Sequence, residues 1–586
     1  MRHALKHTAN KKSPYQSAVA LYSSARFAAA LATLKPMLQP SLNTPRTDRA
    51  AAYNLAAACS LSLNQAADAE TYWRRAIEEK PGYAEAYNNL GVLLKQLGRL
   101  PEAEAACRQA IGINPDYAEA HNSLGSLLYD LNRFDEAEEA CRNALALKSD
   151  HVEAQYNLGV VLYGQGRLIE AEVAFNKTLG TCPHHAAAWN NLGNVLYNLE
   201  RHQNAEAAYR KALAITPDFA QAHYSLSVLL KELDRLPEAE IACRHALALR
   251  PDYPEAHHHL GTLCYASKRL AEAEEAYRRA LILKPGNADC YYNLGVALHG
   301  LKRMGEAEAS YRRALEIDAR HAHALNNLGM LMIELNQLSE AEACYREALR
   351  IHPEFAETCN NLGVLLKELE RLPEAEAACR QALEIRPNYV EALNNLGIIL
   401  QDLKRFQESE ETYRQALAIN AGYADAWYNL GILLNEVERL PESEAAFRKS
   451  LLIEPSLTKA HNNLGIVLQR LDRLNEAVDI YEQAIGQNPD YRQAHNNLGV
   501  VLKELDRLPE AEAHYRQALA ISNDYADARY NLASLMLGTG QLTKGWPLYE
   551  ARYDEGMGVR SSFAPGVSCP QWRGEPLTGK SLLVWF

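Results

Sequence analysis

One asparagine recurs along most of this chain of 586 residues, at intervals that are multiples of 34. It stands directly before the leucine of an Asn-Leu-Gly-like triplet in eleven of fourteen in-phase copies, and Ser123, Ser225 and His259 replace it in the others. The eleven are Asn89, Asn157, Asn191, Asn293, Asn327, Asn361, Asn395, Asn429, Asn463, Asn497 and Asn531. A carboxamide both donates and accepts hydrogen bonds, as a peptide backbone does. These residues, which we call the ladder asparagines, are candidates for hydrogen bonding to a polypeptide.

The recurrence of asparagine inside a predicted helix needs a reason, because asparagine is a poor helix former. One interpretation is a groove that binds an extended peptide, with an apolar strip three residues further along each helix. The residues of that strip are Val92, Val160, Val296, Ile398, Ile432 and Val500. The other interpretation is that each asparagine bonds to the neighbouring hairpin and fixes the twist of the array. The sequence leaves both open, and they can coexist.

Other residues that could do chemistry do not form a recognisable site. His257, His258 and His259 are consecutive, so on a helix they point about 100° apart and cannot converge on one metal ion. The Gly-Lys-Ser at 579–581 precedes a predicted strand instead of following it, which argues against a phosphate-binding loop. No Ser-His-Asp arrangement stands out. We therefore expect no catalytic residue, no metal and no cofactor in this chain.

The elements that must position the asparagines follow from the period. The segment KELDRLPEAE occurs at 231–240 and again at 503–512, and a spacing of 34 residues is typical of stacked helical hairpins. In the unit 84–117, Gly91 leaves room for the second helix, Ala103 offers a shallow surface, and Pro101 suits the first turn of that helix. The glutamates of each PEAE-like segment are expected to form a solvated helix flank.

This set of positions resembles the tetratricopeptide repeat. In the unit 84–117 the matching residues are Tyr87, Leu90, Gly91, Leu94, Ala103, Cys107, Ala110 and Pro115. The resemblance covers residues 14–554 and implies an all-α fold, a right-handed superhelical solenoid of helix-turn-helix hairpins. The ladder asparagines resemble those of O-GlcNAc transferases, which grip extended peptides through their backbone. That second resemblance implies a protein-binding scaffold with an asparagine-lined concave groove.

The repeat also sets the expected domain boundaries. Residues 1–13 are predicted to be a disordered amino terminus, residues 14–83 two degenerate hairpins, and residues 84–559 fourteen units, the last degenerate. Residues 560–586 are predicted to be a linker and the first strand of a truncated domain. That strand, Ser-Leu-Leu-Val-Trp-Phe at 581–586, is a continuous apolar run, so the fold includes the start of an α/β domain.

The carboxy-terminal stretch carries a further resemblance. Residues 545–552 and 571–584 resemble the junction of bacterial tetratricopeptide proteins with a glycosyltransferase-like domain. This implies an alternative function, in which the chain is the substrate-recognition half of a glycosyltransferase acting on protein or glycan. No catalysis is then expected from the chain as it stands, and glycosyl transfer only if the protein continues past residue 586. The apolar strand also predicts self-association through residues 580–586.

Charge, apolar runs and cysteine spacing limit the classes of partner and the compartment that fit this chain. The net charge of −12 and the pI near 5.9 argue against a nucleic-acid backbone as the main partner. No run approaches 18 consecutive apolar residues, so no membrane span is expected. Eleven cysteines include no CxxC pair, and the four that share one repeat position are interpreted as buried, reduced thiols. These four are Cys107, Cys141, Cys243 and Cys379. A cytoplasmic chain that binds proteins or extended peptides fits best.

Overall fold

The computed structural model describes residues 13–39 and 45–549. Within these ranges the chain forms 32 α-helices, one short 3₁₀ helix and no strand, which confirms the all-α solenoid predicted from the sequence. No helix in the same ranges is long and apolar enough to cross a membrane. The predicted carboxy-terminal linker and strand, with the self-association assigned to them, lie outside the described residues, as do residues 1–12 of the predicted disordered terminus.

The helices fall into two compact units, residues up to 310 and residues from 311 onward, and one helix contains the division. The first unit contains α1 Pro14–Ser23, α2 Phe27–Leu34, the 3₁₀ helix Lys35–Leu38, α3 Arg46–Ser62, α4 Ala66–Glu79, α5 Ala84–Gln96, α6 Leu100–Ile113, α7 Ala118–Asp130, α8 Phe134–Leu147, α9 Val152–Gly164, α10 Leu168–Thr181, α11 Ala186–Asn198, α12 His202–Ile215, α13 Ala220–Glu232, α14 Leu236–Leu249, α15 Pro254–Ala266, α16 Leu270–Leu283 and α17 Ala288–Gly300. The division lies within α18 Met304–Ile317.

The second unit continues the same alternation. It contains α19 Ala322–Glu334, α20 Leu338–Ile351, α21 Ala356–Glu368, α22 Leu372–Ile385, α23 Val390–Asp402, α24 Phe406–Ile419, α25 Ala424–Glu436, α26 Leu440–Ile453, α27 Thr458–Arg470, α28 Leu474–Gln487, α29 Arg492–Glu504, α30 Leu508–Ile521, α31 Ala526–Gly538 and α32 Leu542–Tyr549. From α5 onward, odd-numbered helices are the first helices of hairpins and even-numbered helices the second.

The turn inside each hairpin contains one residue with left-handed backbone geometry. Gly98 ends the turn after α5 with φ of 76°, and Glu200 and Lys268 hold the same place after α11 and α15 with φ of 59° and 60°. A proline then often stands in the first turn of the second helix, as Pro101 does in α6. Its missing N–H is one that the helix would not use, so proline starts the helix without cost.

Close packing between the two helices of a hairpin depends on a glycine two positions after the ladder asparagine, which is present in every case except Asn531, where Ala533 stands. A Cβ atom on Gly193 would lie 2.5 Å from Cε1 of Tyr209, and one on Gly91 would lie 2.7 Å from Sγ of Cys107. The opposite helix therefore lays an aromatic ring or a thiol directly on the glycine. The four cysteines of this position are almost completely buried, as the sequence predicts.

Candidate functional site

The ladder asparagines all lie on first helices, and every one of them is partly exposed. In seven repeats the residue before the ladder asparagine is a second asparagine that is at least nine-tenths buried. These seven are Asn88, Asn190, Asn326, Asn360, Asn394, Asn462 and Asn496. Two columns of side chains therefore run side by side along the first helices: the ladder column and a buried column beneath it.

At least ten of the eleven ladder carboxamides, those other than Asn327, donate a hydrogen bond to the residue 35 positions back, in the preceding repeat. In the first unit, Asn157 Nδ2 lies 2.8 Å from Asn122 Oδ1 and Asn191 Nδ2 lies 3.0 Å from the Tyr156 hydroxyl. The bonds from Asn89 to Asn54 Oδ1 at 3.2 Å and from Asn293 to His258 Nε2 at 2.8 Å follow the same pattern.

In the second unit the ladder bonds form an unbroken series from Asn361 to Asn531. They are Asn361 to Asn326 at 3.1 Å, Asn395 to Asn360 at 2.9 Å, Asn429 to Asn394 at 2.9 Å, Asn463 to the Tyr428 hydroxyl at 3.2 Å, Asn497 to Asn462 at 3.0 Å and Asn531 to Asn496 at 2.9 Å. Every one of them joins neighbouring hairpins. The hydrogen bonds that the stacking interpretation requires are therefore present.

Some buried asparagines return a hydrogen bond to the ladder residue that follows them. Asn496 Nδ2 lies 3.3 Å from Asn497 Oδ1, and Asn326 Nδ2 lies 3.1 Å from Asn327 Oδ1. Because Asn497 then donates to Asn462 of the preceding repeat, the amides form a chain that passes from one first helix to the next. Such a network fixes the orientation of each carboxamide before any ligand arrives.

Tyrosine hydroxyls that accept ladder bonds stay protonated at neutral pH. Burial raises the pKa of Tyr156 and of Tyr428, while the bonds from Asn191 and Asn463 oppose that rise. Both hydroxyls therefore remain neutral acceptors for the ladder. The apolar strip predicted beside the ladder is partly exposed at all six of its positions, and Met330 in α19 extends it with 42% of its surface exposed.

The ladder is interrupted where serine replaces asparagine, and each serine leaves a gap in the hydrogen bonding. Asn88 and Asn190 are the buried residues 35 positions before Ser123 and Ser225. The Oδ1 atoms of both are buried without a hydrogen-bond partner in the described structure. At the third interruption a different contact is made, because His259 Nε2 lies 3.1 Å from Ser227 Oγ.

Models of one repeat family match most of the chain. Models described as tetratricopeptide repeat match residues 84–117, 122–184, 186–219, 287–354, 354–421, 394–456 and 456–524, and one described as TPR repeat matches residues 261–302. The chain belongs to the tetratricopeptide repeat family. Its hairpins are therefore TPR hairpins, as their sequence resemblance implies.

Two solved structures illustrate what this TPR chain is similar to. "Crystal structure of APC/C hetero-tetramer Cut9-Hcn1" has 15% identity and a TM-score of 0.42, over 86% of this chain and 98% of that chain. "Crystal structure of YrrB: a TPR protein with an unusual peptide-binding site" has 22% identity and a TM-score of 0.28, over 34% of this chain and 98% of that chain. A comparison with curated proteins found no match.

The three consecutive histidines make separate contacts, as expected for side chains that cannot converge on one metal ion. His257 Nε2 lies 2.9 Å from the carbonyl oxygen of Pro251, whereas His258 and His259 meet Asn293 and Ser227 on either side. Burial lowers the pKa of His258, and it lowers the pKa of His259 to about 4. Both imidazoles are therefore neutral at physiological pH.

One group of side chains in the described residues has the composition of a metal site but is already engaged. Glu240, Cys264 and Glu272 have ligand atoms within 4.8 Å of one another. The Arg269 guanidinium lies between the two carboxylates, with Nη1 3.1 Å from Glu240 and from Glu272. Burial raises the pKa of the Cys264 thiol, so the thiolate that a metal needs is disfavoured.

The two glutamates of a PEAE-like segment differ in exposure, although the sequence predicts a solvated position for both. Glu102 pairs with Arg99 at 2.6 Å and is half exposed, as predicted for a solvated flank. Glu104 is only 19% exposed and lies 2.8 Å from both Arg108 and Arg133. The prediction is wrong for this second glutamate, because stacking places the start of the next second helix beside it. The same double pairing recurs in both units, for example at Glu376 with Arg380 and Arg405.

Proposed function

We propose that this TPR chain is a scaffold that binds extended segments of other proteins along the ladder face of its first helices. The observation that carries the proposal is the ladder itself: partly exposed carboxamides in repeat after repeat, each held in a fixed orientation by the hairpin before it. Donor and acceptor groups fixed in this way lose little entropy when they bind a backbone.

The ladder carboxamides keep hydrogen-bonding capacity after the inter-repeat bond is made. At Asn361, Asn395 and Asn429 one amide N–H is used, and no donor to Oδ1 is found within the described residues. Each therefore retains one N–H and one oxygen, the pair of functions that an extended peptide group requires. Contacts to the backbone carry little sequence information, so we expect a broad preference, with the partly exposed apolar strip favouring segments that contain aliphatic side chains.

The experiment must separate groove binding from hairpin stacking, because the ladder asparagines that it changes also take part in stacking. A triple variant, Asn361→Ala, Asn395→Ala and Asn429→Ala, removes three partly exposed amides together with their inter-repeat bonds. The matched control, Asn326→Ala, Asn360→Ala and Asn394→Ala, removes the acceptors of the same three bonds and leaves the ladder amides in place. Binding of labelled random-sequence peptides is measured by fluorescence anisotropy for both.

We expect the ladder variant to weaken peptide binding about tenfold or more, because several backbone hydrogen bonds of roughly 1 kcal/mol each are lost. The control variant should lose stability to a similar extent but lose less affinity, because its ladder amides stay in place although the preceding hairpin no longer holds them. Equal losses of affinity in the two variants would assign the asparagines to stacking alone and overturn the proposal.

The glycosyltransferase alternative is supported by the sequence of the carboxy-terminal stretch. Its test is the intact mass of the protein purified from its source cells, which shows whether the chain continues past Phe586, and then a titration of that protein with nucleotide sugars. Saturable binding would favour a role in glycosyl transfer to a protein or glycan acceptor. The absence of any binding would leave the scaffold as the function of these residues.

A further inference from the structure

Lysine occupies one position near the carboxyl end of a first helix at intervals of four repeats. The four residues are Lys95, Lys231, Lys367 and Lys503. Two of them pair with the aspartate that ends the next first helix: Lys95 Nζ lies 3.0 Å from Asp130 Oδ2, and Lys367 Nζ lies 3.6 Å from Asp402 Oδ2. Lys503 Nζ lies 3.4 Å from Ser534 Oγ, also on the next first helix. Three of the four ammonium groups therefore have a partner in the repeat that follows.

Lys231 in α13 differs from the other three, because it has no ion pair or hydrogen bond within the described residues. Ala266 ends the next first helix, α15, where an aspartate stands in the two paired repeats. The hydroxyl at the place of the serine that meets Lys503 belongs to Thr262. It donates to the carbonyl oxygen of His258 at 3.2 Å and lies 3.4 Å from the Tyr277 hydroxyl.

The Lys231 ammonium is open to solvent on the ladder face. The side chain is partly exposed, and Nζ is not among the occluded polar atoms that lack a partner, so a ligand can reach it. The ammonium lies close enough to the ladder column to contribute to the lowered pKa of His259. Ala266 is exposed as well, so the place that the aspartate takes in the paired repeats is open. Lys231 is the only lysine or arginine on the first helices from α7 to α17.

A carboxylate is the group that best complements this ammonium. The chain itself shows a carboxylate at the corresponding place in two repeats, on Asp130 and Asp402. A carboxylate accepts a charge-assisted hydrogen bond from an ammonium, whereas a neutral amide or hydroxyl accepts a weaker one and a basic side chain is repelled. A phosphate carries about two negative charges and three acceptor oxygens, and one lysine leaves most of these unmatched.

We propose that Lys231 is a subsite for an aspartate or glutamate side chain of the bound segment. The incoming carboxylate takes the place that Ala266 leaves open, and it accepts a hydrogen bond from Lys231 Nζ. The inference rests on the proposed function and deepens it. Contacts to a backbone allow a segment to slide along the ladder, and a carboxylate held at Lys231 fixes its register.

Matched peptides test the subsite by fluorescence anisotropy with the full chain. Two labelled peptides share one neutral sequence and differ only in a central glutamate or glutamine. Both are acetylated and amidated at their ends, so the glutamate side chain is the only carboxylate. At low salt we expect the glutamate peptide to bind about fivefold more tightly, as for one ion pair at a partly exposed site. Lys231→Gln should abolish this preference without weakening binding of the glutamine peptide.

Three further variants separate the subsite from a general effect of charge. Ala266→Asp supplies the missing carboxylate from the chain itself and should also abolish the preference, whereas Ala266→Asn, its uncharged counterpart, should keep it. Lys367→Gln removes a lysine that is already paired with Asp402, so this variant should keep the preference too.

Equal affinity of the wild type for the two peptides would overturn the subsite, as would a preference that survives Lys231→Gln. A third peptide, with the glutamine sequence and a free carboxyl terminus, tests the other source of a carboxylate. If it binds more tightly than the glutamate peptide, Lys231 receives a chain end and the side-chain subsite is wrong. Failure of the proposed function looks different, because neither capped peptide would then bind, and the subsite would fall with it.

Discussion

His259 replaces a ladder asparagine with a residue that can be titrated. Its Nε2–H donates to Ser227 Oγ, which itself donates to the carbonyl oxygen of Ala239 at 2.6 Å. Burial is the main reason that its pKa falls to about 4, and Lys231 and His258 lower the pKa further. A proton on His259 would place a charge in the layer between hairpins, where little water is available to solvate it.

The pKa of His259 predicts a loss of stability in acid. Below pH 6.5 the unfolded chain protonates this histidine, while the folded chain does so only near pH 4. The unfolded state therefore binds more protons in this window, and the free energy of unfolding should fall by roughly 1.4 kcal/mol per pH unit from this group. His259→Asn restores the ladder residue, with Tyr224 as its acceptor 35 residues back.

Urea denaturation of the wild type and His259→Asn between pH 8 and pH 4 measures this effect. The two stability curves should run parallel above pH 7 and diverge as the pH falls through 6.5, with the variant less sensitive to acid. Curves that stay parallel down to pH 4 would show that His259 is protonated in the folded state as easily as in the unfolded one.

At the scale of the element, the turn between the two helices of a hairpin is the position where residue type and backbone geometry disagree most. Left-handed geometry costs a residue with a Cβ roughly 1–2 kcal/mol, and glycine avoids that cost. Nevertheless Glu200 and Lys268 hold this geometry, as do Asp234 and Asp506 of the two KELDRLPEAE segments. Packing of the two helices fixes the turn, and the turn residue adopts the geometry that the hairpin requires.

Glu200→Gly should therefore stabilise the chain by about 1 kcal/mol, because the left-handed strain is relieved and the exposed side chain makes no ion pair within the described residues. Gly98→Glu, the reverse change at the equivalent turn, should destabilise by a similar amount. Thermal unfolding of both variants checks the pair. A loss of stability in Glu200→Gly would mean that the glutamate side chain contributes more than the strain costs.

The sequence predicts the helices of each hairpin better than it predicts the turn between them. The 34-residue period and the spacing of leucine, glycine, alanine and proline predict the helices, because each of these residues meets a packing demand inside its own hairpin. The left-handed turn is harder to predict, since its residue varies between Gly98, Glu200, Lys268 and Asp234.

Contacts between hairpins are the other part that the sequence conceals. In-phase alignment compares like positions, whereas Asn395 bonds to Asn360, one position out of phase in the preceding repeat. For the same reason Glu104 looks like a solvated residue, although stacking brings Arg133 to within 2.8 Å of it. The sequence alone does not show that the ladder asparagines join neighbouring hairpins, because the 35-residue offset appears only when the hairpins are stacked.

At the scale of the whole molecule, the described helices contact mainly their neighbours in sequence, within each of the two units. Stability in such an array is close to a sum of hairpin terms and nearest-neighbour terms, so a weakened interface should open locally. The paired glutamates are suitable places to test this, because one carboxylate joins successive second helices. Glu376 is 16% exposed and lies 2.9 Å from Arg380 in α22 and 2.7 Å from Arg405 at the start of α24.

Glu376→Gln should weaken this interface and increase amide hydrogen exchange severalfold in α22, α23 and α24, because the neutral side chain cannot pair with both guanidinium groups. Exchange in α29 and α30 of the same unit should stay unchanged. Glu374→Gln is the control: Glu374 also pairs with two arginines, Arg371 and Arg346 of the preceding second helix, but it is 51% exposed, and screening by water leaves such pairs little net effect. Exchange followed by mass spectrometry distinguishes the outcomes. A uniform increase along the whole unit in Glu376→Gln would mean that its hairpins unfold as one cooperative body, contrary to nearest-neighbour coupling.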